Sequence, residues 1–281
     1  MLKSKNYWKF LPSPKRSPMQ KTVPTPQAAN PSTVPLKRQF VNFLFLKLDP
    51  QFRNLPPNER LVAKQEFLKN VEPFQKRMIP PPAGEAMSAP SGRSAGGGMI
   101  LLSYSLLGLR ADCDLMLWRV SSDLESLQEM SSHMHQAGLG KFLFPAYSYL
   151  AMTRRSIYMD KLNPEHDEDR TRIIPGKYKY LFVYPFVKTR AWYQLPMETR
   201  QKMMDEHIRT GSKYPRVKLN TTYSYGLDDQ EFVVAFETDF PQDFLDLVME
   251  LREAKASEYT LRDTPTFTCI NKELPDLVET L

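Results

Sequence analysis

Cysteines and long apolar runs are scarce, and the body of the chain has little net charge; each shortage excludes a class of protein. Only Cys113 and Cys269 occur in the 281 residues, and two distant cysteines form neither a disulfide scaffold nor a zinc site. We therefore expect a reducing compartment. No apolar run approaches the roughly 18 residues that span a bilayer, and the N-terminus lacks the apolar core of a secretory signal. The sequence predicts a cytoplasmic protein without a membrane span.

The net charge is unevenly distributed along the chain. It amounts to +6, from 38 basic and 32 acidic residues. Part of the excess lies in the first 38 residues, where lysines and arginines have almost no acidic neighbours. The remainder is nearly neutral, so nucleic acid is not expected as a partner.

The length and the hydrophobic content of 41% favour two small domains preceded by a tail. Residues 1–37 are rich in proline and basic residues, so they cannot bury enough apolar surface to offset the entropy of ordering. We predict a mobile tail there. Residues 38–160 form the predicted N-terminal unit, with a loop insertion at 73–98, and residues 161–281 form the predicted C-terminal unit.

An internal repeat runs through both predicted units, because the order strand, helix, strand, strand, helix, strand occurs twice. The hairpin around Gly108, followed by the apolar run 115–118, matches the hairpin around Gly226, followed by the run 232–236. The strands of the second unit are predicted at 178–188, 217–225, 231–238 and 265–270, and its helices at 197–213 and 241–255. The pattern predicts an α+β fold of two tandem ferredoxin-like units, each an antiparallel sheet with helices on one face. The uncovered sheet faces must pack on each other or on another subunit.

One histidine of the second unit has the surroundings of a heme ligand. His207 lies in the apolar stripe of the helix 197–213, together with Met203 and Met204, so its side chain is predicted to point inward. An isolated histidine of this kind is most often a satisfied core residue. Here the preceding strand carries Tyr184 and Lys188 on one face, because alternate residues of a strand point the same way. Aromatic side chains can pack on a porphyrin, cations can pair with its propionates, and one imidazole can bind its iron.

These residues belong to a set of motifs that resembles the chlorite dismutase and coproheme decarboxylase superfamily over residues 38–275. The motifs are Tyr184-Pro185-Phe186-Val187-Lys188, Trp192-Tyr193-Gln194-Leu195, Arg200, Met203-Met204, His207, Gly226-Leu227-Asp228-Asp229 and Tyr259 to Pro265. The resemblance implies a duplicated ferredoxin-like fold that binds heme or coproheme in its C-terminal unit. It also implies a homo-oligomer, commonly a ring of five subunits.

The resemblance assigns roles to individual residues. His207 takes the position of the proximal iron ligand. Tyr184 matches the tyrosine that is oxidised to a radical and attacks a propionate in the decarboxylases, and Lys188 matches the lysine beside that propionate. Trp192 and Met204 fall among the positions that contact the cofactor.

The distal side departs from the pattern of the dismutases. They carry a catalytic arginine on the strand that leads into the Gly-Leu-Asp-Asp turn, whereas this chain has Leu219 there. One group of decarboxylases has a small apolar residue at that position and a distal histidine from an upstream loop, where His166 lies in this chain. Asn220, Arg216 and Lys218 are the other distal candidates. The carboxylate partner expected for the proximal histidine is Glu253 or Glu258, unless Lys255 holds that position.

The pattern favours peroxide-dependent oxidative decarboxylation of coproheme to heme b, with the porphyrin as both substrate and cofactor. Decomposition of chlorite to chloride and dioxygen is the first alternative, and a heme-binding, peroxidase-like protein is the second. A non-enzymatic ferredoxin-like assembly protein, in which His207 is merely a core residue, is the last.

Overall fold

The computed structural model describes residues 38–75, 99–162 and 172–281. The predicted tail at 1–37, the candidate distal residue His166 and most of the predicted insertion lie outside these residues. Residues 73–75, where the predicted insertion starts, are helical despite Pro73. Burial of Val71 and Phe74 in the core explains why the helix continues past this proline.

Nine strands and seven helices are found in the described residues. The strands are β1 (Phe40–Leu48), β2 (Ile100–Ser105), β3 (Leu115–Ser121), β4 (Leu143–Met152), β5 (Tyr180–Lys188), β6 (Lys218–Tyr223), β7 (Phe232–Thr238), β8 (Thr260–Arg262) and β9 (Phe267–Asn271). The helices are α1 (Pro57–Gln75), α2 (Leu124–Gln136), α3 (Ile157–Leu162), α4 (Arg190–Gln194), α5 (Met197–Ser212), α6 (Pro241–Glu253) and α7 (Leu274–Glu279). Short 3-10 helices lie at Pro50–Asn54, Gly138–Phe142 and Lys255–Tyr259.

The strand order confirms the predicted α+β fold of two ferredoxin-like units. The first unit has the order β4-β1-β3-β2, and the second has the equivalent order β9-β5-β7-β6. All these pairings are antiparallel. The two sheets also join at both edges, where Met152 lies opposite Tyr223 and Tyr104 lies opposite Asn271. The result is a closed ring of strands that leaves neither four-stranded sheet with a free edge.

The two uncovered faces pack on each other inside this ring, which is one of the two predicted outcomes. The interior contains Phe43, Phe45, Trp118 and Phe267, all without exposed surface. The rings of Phe45 and Phe267 stack with their centroids 3.9 Å apart, so residues of both units share one core. Residues 36–281 form a single compact unit. Where the boundary between the two repeats falls stays a prediction.

The outer face of the first repeat is sealed by α1, α2 and α7. Leucines at alternate positions of β1 and β3, such as Leu44 and Leu117, are buried against Phe67 of α1 and Met130 of α2. Because the inner face packs inside the ring, the central strands β1 and β3 of the first repeat are buried on both faces.

The outer face of the second repeat is covered less completely. On α6, Phe244 stacks on Phe182 of β5, with centroids 4.0 Å apart and ring planes at 11°. Helix α5 lies beside α6 but has no buried residue along its length. Within the described residues, no helix is long and apolar enough to cross a membrane.

Candidate functional site

The outer faces of β5, β7 and β6 form a continuous floor beneath the helices of the second repeat. Strand register defines three rows across this floor. They are Phe182, Phe236 and Leu219; Tyr184, Val234 and Thr221; and Phe186, Phe232 and Tyr223. Phe182 and Phe236 are buried under α6, whereas the other floor residues keep partial or full exposure.

The surface of α5 that was predicted to face inward is also only half-buried. Met203, Met204, His207 and Ile208 all keep intermediate exposure. A ferredoxin-like helix normally buries such a stripe on its sheet, as α1 does in the first repeat. Helix α5 packs against the 3-10 helix Lys255–Tyr259, whose Ala256 carbonyl accepts a hydrogen bond from Lys188 of β5, so the two half-exposed surfaces lie near each other. Such a pair of apolar surfaces is suited to a flat ligand. We call the space between α5 and this floor the slot.

The protonation state and hydrogen bonding of the His207 imidazole decide whether it can bind a metal. Burial and, to a lesser extent, the charge of Lys188 lower its pKa to about 4. The ring is therefore neutral at pH 7 and keeps a free lone pair. Neither ring nitrogen has a hydrogen-bond partner among the described residues. The predicted carboxylate partner is not in place, since none of Glu253, Glu258 and Lys255 hydrogen-bonds to His207.

Tyr184 lies in the middle row of the floor. Its ring stacks on that of Phe236, with centroids 6.0 Å apart and planes at 22°. Burial raises the pKa of the phenol, and the carboxylate of Asp263 raises it further. The phenol therefore carries its proton at neutral pH and is a hydrogen-atom donor rather than a phenolate.

Lys188 and Trp192 come together at the end of β5. The Lys188 side chain is only 8% exposed, and its Nζ donates a hydrogen bond of 2.5 Å to the Ala256 carbonyl oxygen. The same Nζ lies 4.7 Å from the centre of the Trp192 ring. Burial lowers the pKa of Lys188 to about 8, against the opposing effect of the Glu231 charge. The ammonium group is thus positively charged at pH 7, although few water molecules reach it.

Glu231 is a site residue that sequence reasoning missed. Its Oε2 accepts a hydrogen bond of 2.8 Å from the Lys188 main-chain N–H and one of 2.6 Å from the Tyr193 hydroxyl. The Tyr193 and Tyr225 hydroxyl oxygens lie 2.6 Å apart. An acidic residue directly before the apolar strand β7 was the available signal. Its partners precede it by about forty residues, so the contacts are visible in the folded chain and not in a local sequence pattern.

The candidate distal residues separate clearly by strand face. Leu219 is 48% exposed and belongs to the floor. Asn220 faces the interior of the ring and donates to Glu237 over 2.9 Å. Lys218 lies on the same face as Asn220 and donates to the Ile174 carbonyl over 2.6 Å.

The side chain of Arg216 binds residues outside the floor. It forms two hydrogen bonds of 2.7 Å with the Asp243 carboxylate of α6, and its guanidinium lies 3.9 Å from the centre of the Phe240 ring. Leu219 is therefore the one distal candidate, among those that the structure describes, on the floor of the slot.

Comparisons with known proteins agree with the family that the motifs predict. The model of the chlorite dismutase family matches residues 68–272. The chain is 34% identical over 166 residues to a coproheme decarboxylase of Mycolicibacterium smegmatis (strain ATCC 700084 / mc(2)155), covering 59% of this chain and 70% of the relative. The predicted family is confirmed.

Solved structures support the same fold. A mutant chlorite dismutase from Candidatus Nitrospira defluvii superposes with a TM-score of 0.72 at 24% identity, covering 86% of this chain and 94% of the other. A heme-binding protein from Thermus thermophilus gives a TM-score of 0.72 at 23% identity, with coverage of 87% and 95%. Identities this low establish the architecture alone.

Proposed function

Because the chain belongs to the chlorite dismutase family, we propose that it is a heme-dependent oxidoreductase that converts coproheme to heme b with hydrogen peroxide. The coproheme decarboxylase among its relatives supports this choice within the family. The observation that carries it is the composition of the floor. Tyr184 and Lys188 are present, while the distal position holds the apolar Leu219 instead of a cation.

The residues of the slot suit an iron porphyrin. The floor is apolar and half-exposed, and His207 offers a neutral nitrogen without a hydrogen-bond partner in the described residues. Lys188 supplies a poorly hydrated cation that can pair with a propionate. Met204 adds apolar contact area from α5, and the buried Trp192 packs beside the Lys188 ammonium group.

Bound iron would supply the oxidising equivalents when it reacts with hydrogen peroxide. Tyr184 then loses one electron and its phenolic proton and becomes a phenoxyl radical. This radical takes a hydrogen atom from the β-carbon of a propionate, which restores the tyrosine. Loss of a second electron breaks the bond to the carboxylate, so carbon dioxide leaves and a vinyl group remains. Each propionate consumes one hydrogen peroxide and one proton and yields two water molecules.

Lys188 positions the propionate for this attack. Its ammonium group lies on the same strand as Tyr184 and four residues further on, so the side chains project from one face. Pairing with the carboxylate would hold the β-carbon near the phenol, and positioning of this kind contributes strongly to rate.

The assembled form is also part of the proposal. We expect a homo-oligomer, a ring of five subunits, in which residues 161–281 form the porphyrin-binding unit. Light scattering coupled to gel filtration measures the mass directly, and a monomer with full activity would contradict this expectation.

The reaction is tested by loading the protein with coproheme without oxygen and titrating hydrogen peroxide, with mass spectrometry of the extracted porphyrin. We expect a three-propionate intermediate followed by heme b. Rapid dioxygen release from chlorite, with coproheme left intact by peroxide, would instead place the protein with the dismutases. A Soret band that His207→Ala does not alter would contradict the role of His207.

A further inference from the structure

We propose that Glu231 is the residue that positions Lys188 against a propionate of the porphyrin. This inference rests on the proposed function, because it assumes that Lys188 contacts a carboxylate of the substrate. Glu231 itself would touch neither the substrate nor the reacting atoms.

The main chain of Lys188 pairs with Thr260 of β8 but lies beyond the ladder that joins β5 to β7. The pairing of β5 with β7 ends where Phe186 lies opposite Phe232. On the other side, the register with β8 shifts between Val187 and Lys188. The Lys188 N–H donates to the Glu231 carboxylate over 2.8 Å instead of to another strand. On the β7 side, the Glu231 side chain thus replaces the next rung of the ladder and holds the main chain of Lys188.

The same carboxylate oxygen also holds helix α4. The Tyr193 hydroxyl donates to Glu231 Oε2 over 2.6 Å, and Tyr193 directly follows Trp192. Trp192 is buried and forms one wall around the Lys188 ammonium group, 4.7 Å from its Nζ. Glu231 therefore links the main chain of Lys188 to the helix that confines its side chain.

The remaining contact of Lys188 completes this arrangement. Its Nζ donates to the Ala256 carbonyl, which leaves other ammonium hydrogens for a ligand. The charge of Glu231 favours the protonated form of Lys188, which is the form that pairs with a carboxylate. Glu231 thus binds the main chain of Lys188, holds the helix that confines its side chain, and favours its charged form.

A double-mutant cycle tests the inference through coproheme affinity of the full chain, measured without peroxide. We expect Glu231→Ala and Lys188→Met each to weaken binding about tenfold, and the double variant to bind no more weakly than Lys188→Met alone. Glu231→Gln should stay within about threefold of the parent, because the amide oxygen can accept both hydrogen bonds. Tyr225→Phe is the matched control, since it removes only the outer hydroxyl, and we expect unchanged affinity.

Additive losses in the cycle, or a Glu231→Gln variant as weak as Glu231→Ala, would overturn the inference. If Glu231→Ala fails to fold, Tyr193→Phe removes one of the two hydrogen bonds, and its cycle with Lys188→Met must show the same non-additivity. A parent protein that binds coproheme but does not decarboxylate it contradicts the proposed function. Decarboxylation together with additive losses contradicts only the role of Glu231.

Discussion

The two repeats share one strand order but use their helix-covered faces differently. Leu117 of β3 and Val234 of β7 occupy equivalent positions after the two matching hairpins. Leu44 of β1 lies opposite Leu117, and Tyr184 of β5 lies opposite Val234, so Leu44 and Tyr184 are equivalent too. By the same alignment Leu48 corresponds to Lys188. In the first repeat, 21 buried residues form the core beneath the helices, against 4 in the second among the described residues.

The first repeat therefore has a sealed apolar core beneath its helices, whereas the second has an apolar surface that stays partly exposed. Leucines at the positions of Tyr184 and Lys188 would complete an apolar core like that of the first repeat. Here Tyr184 is half-exposed on the floor, and Lys188 puts a charged group at a buried position. Both repeats contribute residues to the core inside the closed ring, so the second repeat is stabilised there although its helix-covered face buries few residues.

The largest expected effect is the loss of decarboxylation on replacing Tyr184, the residue that takes the place of Leu44 in the second repeat. Tyr184→Phe should bind coproheme within about threefold of the parent, because the ring is retained and each tenfold change needs about 1.4 kcal/mol. It should not complete the first decarboxylation, because no phenoxyl radical can form. Mass spectrometry of the porphyrin after peroxide addition measures this. Formation of heme b at the parental rate would remove Tyr184 from the mechanism.

A second prediction compares equivalent positions in the two cores. Leu117→Ala should lower the free energy of unfolding by about 2–5 kcal/mol, because it leaves a cavity in a sealed core. Val234→Ala should cost less than about 1.5 kcal/mol, since this residue is already half-exposed and the change removes less apolar surface. Urea denaturation of the cofactor-free proteins measures both costs. Equal costs would show that the second repeat is as tightly packed as the first.

A third prediction concerns pH and follows from Lys188. Its pKa is lowered from 10.5 to about 8, so coproheme affinity should fall as pH rises through about 8 and the ammonium is lost. In the cofactor-free protein the sign is opposite. Between about pH 8 and 10.5 the unfolded chain binds more protons at this residue than the folded chain, so stability rises with pH.

Lys188→Met should abolish both trends, because methionine does not titrate. The buried Leu48 of the first repeat provides the control, since Leu48→Met should leave both pH profiles unchanged. Persistence of the affinity profile in Lys188→Met would assign it to another group.

The smallest expected effect is a gain of activity at the distal position. Leu219→Arg places a cation on the exposed part of the floor, where it could stabilise an oxyanion. We expect measurable chlorite turnover above a parental value near zero, with coproheme binding retained. Dioxygen release measured with an oxygen electrode decides this. Leu107→Arg, at an exposed position in the hairpin of the first repeat, should remain at the parental value.

Most of the secondary structure could be predicted from local patterns. The helix predicted at 197–213 is observed at Met197–Ser212, and the strand predicted at 178–188 is observed at Tyr180–Lys188. Periodicity suffices there because each pattern lies within one element. Helix α4 was not predicted, since five residues are too few to show a helical period.

The choice among distal candidates needed the strand register. Alternation puts Lys218 and Asn220 on the face opposite to Leu219, but only the folded sheet shows which face lines the slot. The commitment of Arg216 to Asp243 of α6 is a contact between separate elements, so no local pattern indicates it.

Local patterns in the sequence predicted the duplicated order of strands and helices, the stripe that carries His207 and the placement of Tyr184 and Lys188 on one strand face. These features follow from periods of 3.6 and 2 residues, which act over short stretches of chain. Three features appear in the folded structure alone: the closure of the two sheets on each other, the half-burial of α5, and the hydrogen bonds of Glu231 with Lys188 and Tyr193. Each of these depends on contacts between distant residues, whose geometry is set by the packing of the whole fold rather than by any local pattern.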